Sequence, residues 1–254
     1  MHAHEAISKA ITDGRDAHGI ALVAYVTAGY PSMEAFPAIL NDACQHADVV
    51  EVGIPFSNPI ADGGSLQETA RAALAAGATM KKIMHTLRDL DGTLAAPLLL
   101  MGYLNPLLAY GLDRLAEDAS SAGVRGVIVP DLPLEALDIA KPLNDAGLAT
   151  IGMVSPVTSD ARLARIAAHA SGFVYAVTSV GVTGQHRSDQ SDIVEYLKKV
   201  KATATIPVCA GFGIREKAHV DALRGACDGV IVGSALMEAV GEGRDVGSIL
   251  QALR

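Results

Sequence analysis

Eight short runs of β-branched and aliphatic residues recur along the chain, each followed by a segment of helical periodicity. The runs are Ile20–Thr27, Asp48–Gly53, Pro97–Tyr103, Gly126–Pro130, Ala149–Val154, Gly172–Val177, Pro207–Ala210 and Gly229–Gly233. Within them apolar residues are nearly continuous rather than alternating with polar ones. That pattern marks strands buried on both faces, as in a parallel sheet. Helices are expected over Met33–His46, Met80–Leu90, Leu112–Ala122, Leu134–Ala146, Asp160–His169, Ile193–Ala202, Glu216–Arg224, Ala235–Val240 and Val246–Leu253. Ser32 is the expected N-cap of the first of these, and Gly123 and Gly147 are expected helix stops. The chain begins with a short amphipathic helical segment. Strand then helix, eight times in 254 residues, predicts one α/β domain, 1–254. It is a (β/α)8 TIM barrel with an extra N-terminal helix. An open doubly wound sheet is the alternative.

Composition agrees with a large aliphatic core. Hydrophobic residues make up 50% of the chain, charged residues 19%, and aromatics only 4% with no Trp. The formal net charge of −8 argues against a nucleic-acid or polybasic membrane-surface protein. Cys44, Cys209 and Cys227 form no CxxC pair, which suits free thiols in a reducing cytoplasm. The N-terminus lacks the apolar core of a signal peptide. The apolar stretch 95–110 is broken by Asn105 and Pro106 and is too short for a bilayer. His2 and His4 precede the first strand, and no histidine has metal-ligand spacing, so no metal is expected.

In a (β/α)8 barrel, chemistry collects at the carboxyl ends of the strands. Glu51 interrupts an apolar strand and shares a face with Val49 and Gly53. On the interior face its carboxyl would be desolvated, with a raised pKa suited to proton transfer near neutrality. The other reading is a structural Glu paired with Arg or Lys. Asp62 lies in the following loop, whose two prolines and adjacent glycines combine fixed kinks with mobile points. Asp62 is either a second carboxylate at the barrel mouth or simply a turn former opening the next helix.

Three glycine-rich turns follow the last three strands: 181–184, 211–214 and 233–236. None contains Lys or Arg. Backbone N–H groups, the Ser234 hydroxyl and a helix dipole would hold a phosphate there. Tight βα turns are the other explanation. Tyr25, Tyr103, Tyr175 and Phe212 sit near strand ends, where they either receive a flat apolar group or cap the barrel.

These segments resemble one family. Ala24-Tyr-Val-Thr-Ala-Gly-Tyr-Pro31, Val50-Glu-Val-Gly-Ile-Pro-Phe-Ser57, Ala61-Asp-Gly63, Gly102-Tyr-Leu-Asn105, Pro130-Asp-Leu-Pro133, Gly181-Val-Thr-Gly184 and Gly211-Phe-Gly-Ile214 look like the tryptophan synthase α-subunit family. The likeness runs in order along essentially the whole chain. It implies retro-aldol cleavage of indole-3-glycerol phosphate to indole and glyceraldehyde-3-phosphate. By matching position, Glu51 resembles the general acid/base and Asp62 the indole-facing carboxylate. Tyr25, Tyr103, Tyr175, Thr183 and Phe212 resemble positions lining the indole and glycerol pocket. Gly184, Gly213, Gly233 and Ser234 resemble the phosphate site, and Asp131 a position associated with signalling to the partner.

The resemblance also implies no cofactor in this chain. The expected partner is a pyridoxal-phosphate-dependent β subunit, in an α2β2 heterotetramer. Two positions depart from the family's usual P-F-S-D-P and A-D-G-P: Asn58 and Gly64. That loop faces the β subunit in the family and carries an interface salt bridge, so weaker or differently wired coupling is expected. Another phosphate-binding barrel isomerase, a stand-alone indole-3-glycerol phosphate lyase and a purely regulatory paralogue are the alternatives. Intact Glu51 and Asp62 speak against the last.

Overall fold

The computed structural model describes residues 3–178, 190–211 and 213–254. Its strands are β1 (Ala21–Thr27), β2 (Val49–Gly53), β3 (Leu98–Met101), β4 (Val124–Ile128), β5 (Ala149–Thr150), β6 (Gly152–Val154), β7 (Val174–Val177), β8 (Val208–Gly211) and β9 (Gly229–Val232). All neighbours are parallel, in the order β5-β4-β3-β2-β1-β9-β8-β7-β6. The first strand therefore pairs with the last. The two outer segments, β5 and β6, are the halves of one expected run, joined through Ile151. The Ile151 amide donates to the Val127 carbonyl at 3.1 Å. Eight runs thus become a nearly closed TIM barrel whose fifth strand changes partner at its midpoint. At that break the Thr150 amide turns to the Ser171 hydroxyl, 2.9 Å away.

Period-two geometry sorts each strand. Ala21, Val23, Tyr25, Val49, Leu99, Ile128, Phe173, Tyr175, Cys209 and Ile231 fill the barrel interior. Leu22, Ala24, Val26, Val50, Val52, Leu98 and Leu100 point outward into the layer of helices. Both faces are buried, which is why the runs read as continuously apolar. The expected N-terminal helix spans Ala3–His18 and closes the amino end of the barrel. Its Ile7 and Ile11 join the interior cluster, and the Ser8 hydroxyl donates to the Gly172 carbonyl at 2.6 Å. Gly14 lets this helix approach β2, because a Cβ there would lie 2.4 Å from the Asp48 carboxyl carbon.

The helical layer departs from expectation in several places. Gly64–Ala75 and Leu104–Tyr110 are helices that periodicity did not single out. Leu134–Ala146 divides into a 3-10 turn, Leu134–Ala140, and a short α-helix, Lys141–Asp145, with Pro142 at its start. The helix after β8 shrinks to Lys217–Asp221. The helix expected from Met33 begins at Phe36, and Ser32 instead accepts a hydrogen bond from the Ala35 amide at 3.3 Å. Gly123 and Gly147 do end helices, with φ of +70° and +82°. No helix among the described residues is long and apolar enough to cross a membrane.

Candidate active site

Glu51 occupies the middle of β2, in register with Tyr25 on β1 and Leu99 on β3. Its side chain faces the barrel interior and is 0% exposed. Neither carboxyl oxygen has a hydrogen-bond partner among the described residues. The alternative of a structural Glu paired with Arg or Lys is therefore not what the described residues form. Desolvation penalises the charged form and pushes the carboxyl pKa up to about 8. A buried, unpaired acid is costly to a fold and is a hallmark of functional positions.

Two tyrosines form the walls beside it. The Tyr25 hydroxyl lies over β2, only 2.0 Å from where a Cβ on Gly53 would stand. The Tyr175 hydroxyl lies over β8 in the same way, 2.3 Å from a Cβ on Gly211. Only glycine at these two interior positions leaves room for the rings. Burial raises the pKa of both phenols, and the charges of Asp62 and Glu51 raise both further. Both carboxylates therefore act on one compartment.

Asp62 reaches that compartment from the loop after β2 and is 7% exposed. Burial lifts its pKa to about 6, against the opposing hydrogen bond from the Tyr103 hydroxyl. Tyr103 ends the segment after β3. Its oxygen accepts from the Ala61 amide at 2.9 Å while its proton goes to Asp62. Gln67 donates to the Asp62 carbonyl at 2.9 Å, and the Asp62 amide donates to the Pro59 carbonyl at 3.1 Å. The following helix is capped by Gly63 with no side-chain cap, so Asp62 is not its N-cap. Phe56, which sequence reading left out of the pocket, packs on Tyr103 with ring centroids 5.4 Å apart. Leu99, in register with Glu51 and in the barrel interior, was also missed. Strand parity together with the pairing of Leu99 and Glu51 would have found Leu99, but the register is not written in the local sequence.

The turns after β8 and β9 come to the same rim. Gly213 has a φ of +80°, and a Cβ there would meet nothing within 4 Å. Gly233 caps the Ser234–Gly241 helix and sits over Tyr25, whose Cβ is 3.4 Å from a Cβ built on Gly233. The Ser234 hydroxyl oxygen lies 4.0 Å from a Cβ placed on Gly63. Ser234 therefore abuts the end of the Asp62 loop. Asp131 follows β4 and accepts from the Leu104 amide at 2.8 Å. Thr183, Gly184 and Phe212 lie outside the described residues. No cluster of three metal-ligating side chains occurs among the described residues.

The family model for the tryptophan synthase alpha chain matches residues 12–252. The chain belongs to the tryptophan synthase alpha chain family. The alpha chain of Bacillus anthracis is 42% identical over 238 residues, covering 92% of this chain and 90% of that one. The solved tryptophan synthase subunit alpha of Legionella pneumophila superposes with a TM-score of 0.88 at 31% identity, covering 100% of this chain and 97% of that one. A chain from the tryptophan synthase α2β2 complex of Pyrococcus furiosus gives a TM-score of 0.84 at 32% identity, covering 92% and 97%. Members of this family are enzyme subunits that cleave indole-3-glycerol phosphate, and this is the activity of the present chain.

Proposed function

We propose that the chain is a carbon–carbon lyase in which Glu51 moves the protons and Asp62 stabilises the charge. Cleaving indole-3-glycerol phosphate is a retro-aldol step. Protonation at indole C3 shifts positive charge to the ring nitrogen. The glycerol hydroxyl next to the ring then loses its proton, the C–C bond breaks, and its electron pair restores the aromatic ring. One proton enters at carbon and one leaves from oxygen, so the products are indole and glyceraldehyde-3-phosphate with no net proton change. A carboxyl with a pKa of about 8 is protonated at neutrality and can give the first proton. The carboxylate it leaves behind can take the second. Asp62, with a pKa of about 6, is then largely ionised and accepts a hydrogen bond from the ring N–H as positive charge develops.

The observation that carries this reading is the fully buried Glu51 carboxyl, without a described partner, in the compartment Asp62 faces. Tyr25, Tyr175 and Phe56 supply flat apolar walls for the ring. Thr183 and Phe212 complete that lining in our reading. Gly184, Gly213, Gly233 and Ser234 hold the phosphate through main-chain amides and one hydroxyl. One barrel domain supplies every group the cleavage needs, without a cofactor of its own. The three free, buried cysteines accord with a cytoplasmic protein.

The likeness to a chain of an α2β2 complex supports pairing with a β subunit. Exposed Ile60, Leu108 and Val157, on segments after β2, β3 and β6, supply apolar surface for it. Asn58 brings no charge to that rim, so activation by β depends little on salt in this reading. The test is indole release from indole-3-glycerol phosphate, with and without a β subunit, over a salt series. No indole under either condition would overturn the assignment. A large salt-sensitive activation would overturn the view of Asn58.

A further inference from the structure

Outside the pocket, one carboxylate ties together three segments of the rim. The Ser65 hydroxyl donates to Glu238 Oε1 at 2.6 Å. Arg215 grips the same carboxylate with both ends of its guanidinium, Nη2 to Oε1 at 2.8 Å and Nη1 to Oε2 at 2.6 Å. Each partner stands close to a candidate site residue. Ser65 lies in the first turn of Gly64–Ala75, three residues after Asp62. Arg215 follows Gly213 by two residues. Glu238 lies one helical turn beyond Ser234 in Ser234–Gly241.

Partial exposure, 34% for the Glu238 side chain and 53% for Arg215, makes this pair a weak contributor to global stability. The bidentate geometry nevertheless fixes direction and distance. Arg215 and Ser65 hold the Glu238 pKa down to about 2, so the carboxylate stays charged at any working pH. Sequence separation makes the contact informative: Ser65 and Glu238 are 173 residues apart.

We propose that Glu238 is a positioning residue that, through Ser65 and Arg215, sets the spacing between the Asp62 loop and the phosphate-binding turns. This rests on the function proposed above and extends it to residues outside the set placed in the pocket. A substrate held at both ends, ring and phosphate, gains from two half-sites at a fixed separation. Ligands held at one end only do not. Loosening the spacing therefore penalises the joined ligand selectively.

The experiment measures binding of indole, inorganic phosphate and indole-3-propanol phosphate to the full-length chain by calorimetry, alongside KM and kcat. Glu238→Ala is expected to weaken the joined analogue about tenfold and raise KM by a similar factor. Indole and phosphate binding stay within about twofold of wild type. Glu238→Gln, which keeps an acceptor for Ser65, should recover part of the loss. Ser65→Ala/Glu238→Ala should be no worse than Glu238→Ala, because both changes break one linkage. Unchanged binding of the joined analogue overturns the proposal. So does equal weakening of all three ligands, the sign of local collapse. Should the wild-type chain fail to bind the joined analogue better than either fragment, and release no indole, the function assignment falls and this proposal with it. If wild type does both and Glu238→Ala matches it, only the positioning role falls.

Discussion

Asp228 and Glu51 are both buried acids of the barrel, one just before a strand and one in the middle of a strand. Asp228 precedes β9 at the amino end and is 3% exposed. It accepts from the Val208 amide at 2.9 Å, Arg15 at 2.8 Å and Lys201 at 2.9 Å. Burial raises its pKa, but Arg15, the Val208 amide and Lys201 outweigh that and hold it below the usual range. Glu51, in the middle of β2, has no described partner, and burial alone pushes it to about 8. Two acids with nearly the same exposure are thus shifted in opposite directions. Burial by itself does not mark a functional carboxylate; burial without compensation does.

The comparison breaks most decisively on activity. Glu51→Gln should lower kcat about a thousandfold, the usual worth of a positioned acid–base group. Asp62→Asn should lower it about a hundredfold or more, because a neutral amide stabilises developing positive charge poorly. Both variants should keep wild-type circular dichroism. Near-wild-type indole release by either would show that the acids at the mouth are as structural as Asp228.

Asp228→Asn should do the reverse. Breaking its contacts with Arg15 and Lys201 should cost about 3 kcal/mol and lower Tm by roughly 10 °C, with little effect on kcat in the folded protein. A stable Asp228→Asn variant would mean that the amino-end cluster contributes no more than a surface pair.

The pH dependence separates the same two residues by sign. Asp228 has a lowered folded pKa, so its contribution to stability is present above the unfolded carboxylate range and is lost as pH falls through the folded value. Glu51 has a raised folded pKa. Its protonated form favours the fold below about 4.5, and that advantage is lost as pH rises toward about 8. The Tm of Glu51→Gln should therefore gain on wild type between those limits, on the order of 5 °C by neutral pH. A pH-independent difference would contradict the raised pKa. For catalysis, kcat/KM should rise through about 6 as Asp62 ionises and fall above about 8 as Glu51 does. A flat profile across that span would remove the acid–base assignment.

The smallest effect comes from Gly64, beside Asp62 but without a buried charge. Nothing lies within 4 Å of a Cβ at Gly64, and it is the first residue of its helix. Gly64→Pro should be tolerated there, raising Tm by about 1–3 °C and changing kcat by less than about twofold. A loss of activity comparable to that of Asp62→Asn would show that this hinge has to move during turnover.

Much of the molecule was legible from local pattern. The eight apolar runs became the barrel strands, and the alternation that placed Glu51 with Val49 and Gly53 on one face holds in the structure. The Gly64–Ala75 helix was not legible, because it opens on glycine with no polar cap to announce it. Leu134–Ala146 reads as one helix by periodicity, yet Ala136 leaves helical geometry and Pro142 starts a second element.

The sequence by itself determined which residues share a face of each strand, because side-chain direction in a strand repeats every two residues and needs no distant information. It also held the glycines at 53 and 211 that the two tyrosine rings require. Tertiary structure alone decided which buried acid has partners. Asp228 meets Arg15 across 213 residues of chain, whereas Glu51 meets no described donor at all. Solvation and pairing depend on groups brought together from remote parts of the chain, so no local window of sequence contains them.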